Sequence, residues 1–315
     1  GMHLSPEFGL TYKEIEKDGF KINKKIEMLL SADTPTSIVK STGIGMIGFS
    51  DAYNDLEPDI VVILGDRYEL LAASYSATLM RIPIAHFHGG EATEGAIGEP
   101  TRHSITKMSH IHFVAAQEYK KKVIQLGEDP KTVHNVGGAG VDYISRTKLL
   151  DKKTLEKKIN WKITDKTFLV TFHPITLEDN STEKQCRNFI EALEFFKNYN
   201  IIFTKPNSDT HGRILISMID DFIKNNPKRS KAFVSLGQLR YTSLLQYVSG
   251  VIGNSSSGIL EAPYFKIGTV NIGDRQRGRI RAKSVIDTKP QKQAIIKSIN
   301  KLISHKFQME IKNVI

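Results

Sequence analysis

The chain has 315 residues, 40% of them hydrophobic and 25% charged, a globular balance that excludes disorder and predicts two domains at about 150 residues each. A single cysteine, Cys186, excludes a disulfide scaffold and a cysteine-only zinc site, and no apolar run reaches the ~20 residues of a membrane span, so a soluble cytoplasmic protein is the expectation. Lysine and arginine number 44 against 34 acidic residues, a net charge of +10 that favours anionic partners: nucleic acid, phosphorylated metabolites or acidic membranes.

The opening segment, Gly1-Met2-His3-Leu4-Ser5-Pro6, has neither a strand pattern nor a signal-peptide pattern, and a chain that starts in a loop is expected to lack its beginning. The first strand run is DIVVILGD (59–66). Leu70, Leu71, Ala73, Tyr75 and Leu79 then predict a helix over 68–80. Strand runs follow at IPIAHFH (82–88), HIHFVAA (110–116) and TVHNVGG (132–138). The highly charged stretch 145–166 reads as a helix and linker, which divides the chain into domains 1–150 and 151–315. The second half repeats the pattern: TFLVTFH (167–173), NIIFTKP (200–206), KAFVSLG (231–237), VSGVIGN (248–254) and GTVNIGD (268–274). A tail helix carries Ile295, Ile296, Ile299, Leu302 and Ile303 at helical spacing.

Near-continuous β-branched runs separated by helices predict strands buried on both faces, in parallel sheets of doubly wound type: an α/β protein. Two such domains imply a cleft between the carboxyl ends of two sheets, so the polar residues just after each strand carry the function. Lysines such as Lys152, Lys153, Lys157 and Lys158 are scattered without an aromatic-interleaved stripe. The positive balance therefore reads as solvated surface plus a local anion site, not a nucleic-acid or membrane interface.

Asp66 and Arg67 directly follow VVILG; Asp66 suits either chemistry or a helix cap. The next loop carries His86, His88, paired glycines and the carboxylates Glu91, Glu94 and Glu99, with Arg102 and His103 just inside a helix opened by Pro100. Such carboxylates act as acid and base if their environments separate them, or are merely solvated. His86 with His88 and His110 with His112 alternate on strands, but no third ligand stands at a recognised spacing, so no metal is expected. His173-Pro174 ends a strand and leaves the histidine at the sheet edge, in a structural or a functional role. Asn254-Ser255-Ser256-Ser257-Gly258 forms a strand-to-helix turn that suits a phosphate, or simple capping, and Glu261 beyond it suits a ribose diol. Arg275, Arg277 and Arg279 follow the last strand run, where each can donate to phosphate. The chain has no G-x-G-x-x-G and no Walker A sequence, against a dinucleotide dehydrogenase or P-loop enzyme.

GDRYE (65–69), HGGEATEGA (88–96), TRHSITKMSH (101–110), His173-Pro174, GNSSSG (253–258) and GDRQRGR (273–279), in this order over nearly the whole chain, resemble the hydrolysing UDP-N-acetylglucosamine 2-epimerases of sialic-acid biosynthesis. The resemblance implies two Rossmann-like, GT-B-like domains with UDP in the interdomain cleft, assembled as a homodimer or homotetramer. It implies cleavage of UDP-N-acetylglucosamine to UDP and N-acetylmannosamine, by elimination of UDP and hydration with inversion at C2. The implied partner is the UDP-sugar alone, with no metal or nicotinamide cofactor. By the same resemblance Asp66 matches an essential acid with Arg67 beside it, His173 a histidine near the diphosphate, and Ser255 and Ser256 diphosphate-binding serines. Glu261 matches a ribose-binding glutamate and Arg275 a nucleotide-side arginine. The expected catalytic set is Asp66, Glu91, Glu99 and His173; the expected UDP-sugar contacts are Arg67, His88, Arg102, Ser255, Ser256, Ser257, Glu261 and Arg275.

Three departures stand out. Family members often carry a glutamate where this chain has His88, and two adjacent acids where it has Gly98 and Glu99. An R-A-D-Y-type opening is also missing, so roughly 50 residues forming a first strand–helix–strand unit are expected to be absent. Either Glu91 and Glu99 carry the work or the chain is impaired, and Gly98→Asp would then restore activity. The same reaction on a UDP-2,4-diacetamido-2,4,6-trideoxyhexose, a two-domain UDP-sugar glycosyltransferase and a degenerate nucleotide-sugar binder remain the alternatives.

Overall fold

A computed structural model of the chain describes every residue except 33, 95–96, 174–181, 207–211 and 313–315. Pro174 and part of the 88–96 motif therefore lie outside the described residues. The chain divides into two compact units, Gly1–Asp142 and Tyr143–Ile315.

In the first unit a short helix α1 (Tyr12–Lys17) and a long helix α2 (Pro35–Leu56) precede the sheet. The sequence reading missed α2 because Gly43, Gly45 and Gly48, with several serines and threonines, interrupt its apolar periodicity. Its start is nonetheless well capped: Pro35 opens it, and the Thr34 hydroxyl oxygen accepts from the Ser37 N–H at 3.2 Å. Strands β1 (Val61–Leu64), β2 (Ile84–Phe87), β3 (Ile111–Val114) and β4 (Val133–Asn135) run parallel in the order β1-β2-β3-β4. Helices α3 (Tyr68–Leu79), α4 (Gly98–Met108) and α5 (Gln117–Gln125) make the crossovers. The core gathers Tyr53, Ile63, Ala73, Ala77, Ile84 and Ile105, and α2 is tied to α3 by Tyr53 OH donating to the Ala73 carbonyl at 3.2 Å.

Burial of both faces, expected for every strand, fails at β1. Ile63 is buried, but Val62 and Leu64 are 63% and 57% exposed. β1 is the outer strand of its sheet, and its alternate side chains face a side left uncovered.

Helix α6 (Ala139–Arg146) crosses into the second unit, and α7 (Lys152–Ile159) buries Leu155 and Ile159 there beside Ile163. Strands β5 (Thr167–Thr171), β6 (Asn200–Thr204), β7 (Ser230–Phe233), β8 (Gly250–Gly253), β9 (Thr269–Ile272) and β10 (Val285–Thr288) form a parallel sheet of order β10-β9-β8-β5-β6-β7. Helices α8 (Thr182–Glu194), α9 (Gly212–Asn225), α10 (Gly237–Leu245), α11 (Ser257–Leu260), α12 (Lys292–Ile303) and α13 (His305–Lys312) complete it. Strands β5, β8 and β9 are buried on both faces. Phe168 and Val170 of β5 enter one core with Ile252 and Val270, while Leu169 between them enters the other with Ile202 and Val251. β10 escaped the sequence reading because this short edge strand follows a charged segment and carries Asp287. No helix among the described residues is long and apolar enough to cross a membrane.

Candidate functional site

In the first unit Arg102 joins three segments. It stands just past the first turn of α4 and is buried. Its Nη2 donates to Asp66 Oδ2 at 2.5 Å; its Nη1 donates to the Glu91 carbonyl oxygen at 2.6 Å and to Thr93 Oγ1 at 3.3 Å. A buried guanidinium is tolerated when it is both paired and hydrogen-bonded in this way. Asp66 does not cap α3: Arg67 holds the N-cap position, with no side-chain cap bond. The Asp66 side chain stays 26% exposed, and among the described residues only its Oδ2 takes a hydrogen bond.

Glu91 is buried, and His88 covers it. His88 Nδ1 lies 2.5 Å from Glu91 Oε1, and the Ala139 N–H donates to His88 Nε2 at 3.4 Å. With Nε2 accepting, the imidazole proton sits on Nδ1 and is donated to the carboxylate. The loop that builds this pair is strained: His88 is left-handed at φ +64°, a conformation that costs on the order of 1 kcal/mol, held by the His88 N–H donating to the Phe113 carbonyl at 2.8 Å. Gly90, at φ +77°, could carry no Cβ, which would lie 2.5 Å from the Tyr119 carbonyl oxygen. Glu99 turns back to accept the Thr93 N–H at 2.6 Å, with His103 Nε2 at 3.7 Å from its other oxygen.

His86 lies fully buried beneath the loop. Its Nε2–H donates to the Gly65 carbonyl at 2.9 Å, and its Nδ1 faces Thr106 Oγ1 at 3.2 Å. Burial pushes its pKa down to about 4, against a smaller upward effect from the Gly65 bond, so the ring is neutral. Arg67 takes a different direction from the cluster. Its Nε and Nη2 grip Glu69 at 3.0 and 3.1 Å. Glu94 is exposed.

In the second unit the strand order reverses between β5 and β8, and open parallel sheets bind ligands beyond the carboxyl ends of the strands at such a point. His173 follows β5 and Asn254 follows β8. The buried Asn254 side chain spans the point: Oδ1 accepts the His173 N–H at 2.7 Å and Nδ2 donates to the His173 carbonyl at 2.8 Å. The Asn254 carbonyl accepts from Arg275 Nη1 at 3.1 Å and Gln276 Nε2 at 2.9 Å. Gly253, at φ +141°, brings the backbone so near β5 that a Cβ would lie 1.8 Å from the Thr171 carbonyl oxygen.

Ser255, Ser256 and Ser257 are half-buried beside this clamp. The helix expected behind them is one turn long, α11, followed by a 3-10 turn at Ala262–Phe265. Its dipole is correspondingly small, so any anion here relies on hydroxyls, nearby N–H groups and arginine. Ser257 Oγ meets Tyr241 OH at 2.6 Å, and burial raises the Tyr241 phenol above its ordinary value and keeps it neutral. Glu261, half-buried, follows α11, its N–H donating to the Ser257 carbonyl at 2.9 Å. Arg279 is buried and Arg277 exposed.

Within the first unit, then, Asp66, His88, Glu91, Glu99 and Arg102 share one network, and Arg67 pairs with Glu69. Within the second, His173 and Arg275 meet at Asn254, next to the serines. Sequence reasoning missed Asn254, His86, Thr93 and Tyr241 as organisers. Asn254 alone had a signal: it stands first after a fully buried strand. Among the described residues no group of three or more His, Cys, Asp or Glu is placed to hold a metal ion.

A family model described as UDP-N-acetylglucosamine 2-epimerase matches residues 1–314. The GDP/UDP-N,N'-diacetylbacillosamine 2-epimerase (hydrolyzing) of Campylobacter jejuni is 48% identical over 288 residues, 91% of this chain and 75% of that protein. Polysialic acid biosynthesis protein P7 of Escherichia coli is 39% identical over 308 residues, 98% of this chain and 78% of that protein. The crystal structure of UDP-GlcNAc 2-epimerase from Neisseria meningitidis bound to UDP-GlcNAc shares the GT-B-like fold, with a TM-score of 0.78 at 18% identity over 97% of this chain and 84% of that one. The chain belongs to the UDP-N-acetylglucosamine 2-epimerase family and is a UDP-sugar 2-epimerase.

Proposed function

We propose that the chain is a hydrolysing 2-epimerase acting on a UDP-2,4-diacetamido-2,4,6-trideoxyhexose, releasing UDP and the free sugar inverted at C2. The likeness to the Campylobacter jejuni enzyme, 48% over nine-tenths of the chain, carries the choice of sugar. UDP-N-acetylglucosamine, the substrate the ordered motifs favour, is the second reading.

The reaction is redox-neutral. In the elimination, a base takes the C2 proton, the C1–O bond breaks, and its electron pair leaves with UDP. In the hydration, water oxygen adds to C1 and a proton returns to C2 on the opposite face. Asp66, one oxygen fixed on Arg102 and its side chain partly exposed, suits the base. Arg102 is the positioning residue that aims this carboxylate. His88, backed by Glu91, suits the proton transfers of hydration, and Glu99 orders the same loop through Thr93. Arg275, the serines and His173 would offset the charge developing on the diphosphate. Glu261 would accept from the ribose diol. Arg67 is engaged by Glu69 through Nε and Nη2.

Proton NMR in D₂O tests the reading with UDP-N,N'-diacetylbacillosamine and UDP-N-acetylglucosamine side by side. Free sugar carrying deuterium at C2, with faster turnover of the diacetamido substrate, is the expected result. The absence of UDP release from either substrate would rule out the reaction, and preference for UDP-N-acetylglucosamine would rule out the sugar.

A further inference from the structure

Gly98 stands where the family pattern has an acid, and it opens α4. Its φ lies outside the left-handed region, so its backbone conformation does not call for glycine. Space does. A Cβ at position 98 would lie 2.2 Å from Asp66 Oδ2 and 2.9 Å from Asp66 Cγ. Asp66 Oδ2 is the same oxygen that accepts from Arg102 at 2.5 Å. A side chain at 98 therefore requires the Asp66 carboxylate to shift from the position in which it meets Arg102. Asp66 is held by its pair with Arg102, so moving it disturbs the carboxylate that a buried guanidinium meets.

We propose that Gly98 is a positioning residue for the epimerase reaction. Its missing side chain leaves the room in which the Asp66 carboxylate seats on Arg102. The inference rests on the epimerase reading for its catalytic consequence, but its geometry does not. It reverses the expectation drawn from the family pattern: an acid returned to position 98 displaces Asp66 and does not rescue a deficient site.

The test compares Gly98→Ala and Gly98→Asp with wild type, and repeats Gly98→Ala in an Asp66→Ala background. Both single variants are expected to lose on the order of tenfold or more in kcat for UDP release, with KM little changed, as for a misplaced catalytic group. Thermal unfolding supplies a readout independent of turnover. Alanine is the better helix former. Gly98→Ala should therefore lower Tm when Asp66 is present and raise it when Asp66 has been truncated. The proposal is overturned if Gly98→Asp turns over faster than wild type, if Gly98→Ala keeps wild-type kcat, or if its Tm shift has the same sign and size in both backgrounds. A wild-type chain that released no UDP would defeat the epimerase reading, while the Tm cycle would still decide the role of Gly98.

Discussion

The loops after β1 and β2 are held together by a buried cation, those after β5 and β8 by a neutral amide. Arg102 gathers a carboxylate, a carbonyl and a hydroxyl; Asn254 binds both backbone groups of His173 and is itself held by Arg275 and Gln276. The two fasteners fail differently. Removing a buried charge leaves its counter-ion without compensation, whereas removing an amide leaves neutral groups unsatisfied. The contrast also matches the proposed chemistry. A base must be held in place, and a fixed cation does that. A diphosphate brings its own charge, so a neutral clamp can set the shape of its site and leave the hydroxyls and Arg275 to meet it.

The widest expected gap between the two fasteners comes from Arg102→Ala. The loss of unfolding free energy should be about 3 kcal/mol, the low end for a broken buried pair because Asp66 remains partly exposed. UDP release should fall by on the order of a hundredfold as Asp66 loses its orientation. Arg102→Lys should restore little, because an ammonium lacks the planar fork that reaches Asp66 and the Glu91 carbonyl together. Urea unfolding and kcat measurements check both effects. Full rescue by lysine would show that charge alone, without geometry, holds the first site.

What was legible in the sequence follows the same division. Strand runs such as TFLVT and GVIG were readable because strands buried on both faces are apolar without interruption, and both lie in the second unit. At β1 the same apolar run is half exposed, because burial depends on neighbours that a run of residues does not encode. Asp66, Glu91, Glu99 and Arg102 were visible as charged residue types after strands. That Arg102 would bind Asp66 was not, because it sits 36 positions away on another element. Asn254 was hidden more deeply. Its role needs β5 beside β8, and strand order is set by packing the whole sheet. Gly98 read as a lost acid in the sequence and as room for Asp66 in the structure.

Asn254→Leu should weaken the second fastener by less than Arg102→Ala weakens the first. It keeps the branched outline and leaves the His173 N–H and carbonyl without their amide partner, a cost of about 2 kcal/mol. UDP affinity, measured by calorimetry, should drop by roughly tenfold, with C2 deuterium exchange per bound substrate nearly intact. If exchange collapsed while UDP still bound normally, Asn254 would belong with the proton-transfer machinery, and the contrast between the two sites would dissolve.

A further effect separates the units by pH. His86 is neutral in the fold, with burial lowering its pKa from an ordinary 6.5 to about 4. Between these values the unfolded chain binds a proton that the folded chain refuses. Its stabilising contribution is thus complete above about pH 6.5 and is lost as pH falls towards 4. Integrated from pH 7 to pH 5, the loss comes to about 2 kcal/mol. His103 and His112, also lowered mainly by burial, push in the same direction and lie in the same unit. His86→Gln keeps a donor for the Gly65 carbonyl and does not titrate, so its stability should fall less steeply with acid than that of wild type. Urea unfolding at pH 7, 6 and 5 measures the difference. Parallel pH slopes for wild type and His86→Gln would place the acid sensitivity elsewhere, and the neutral ring beneath the Asp66 loop would no longer distinguish the first unit from the second.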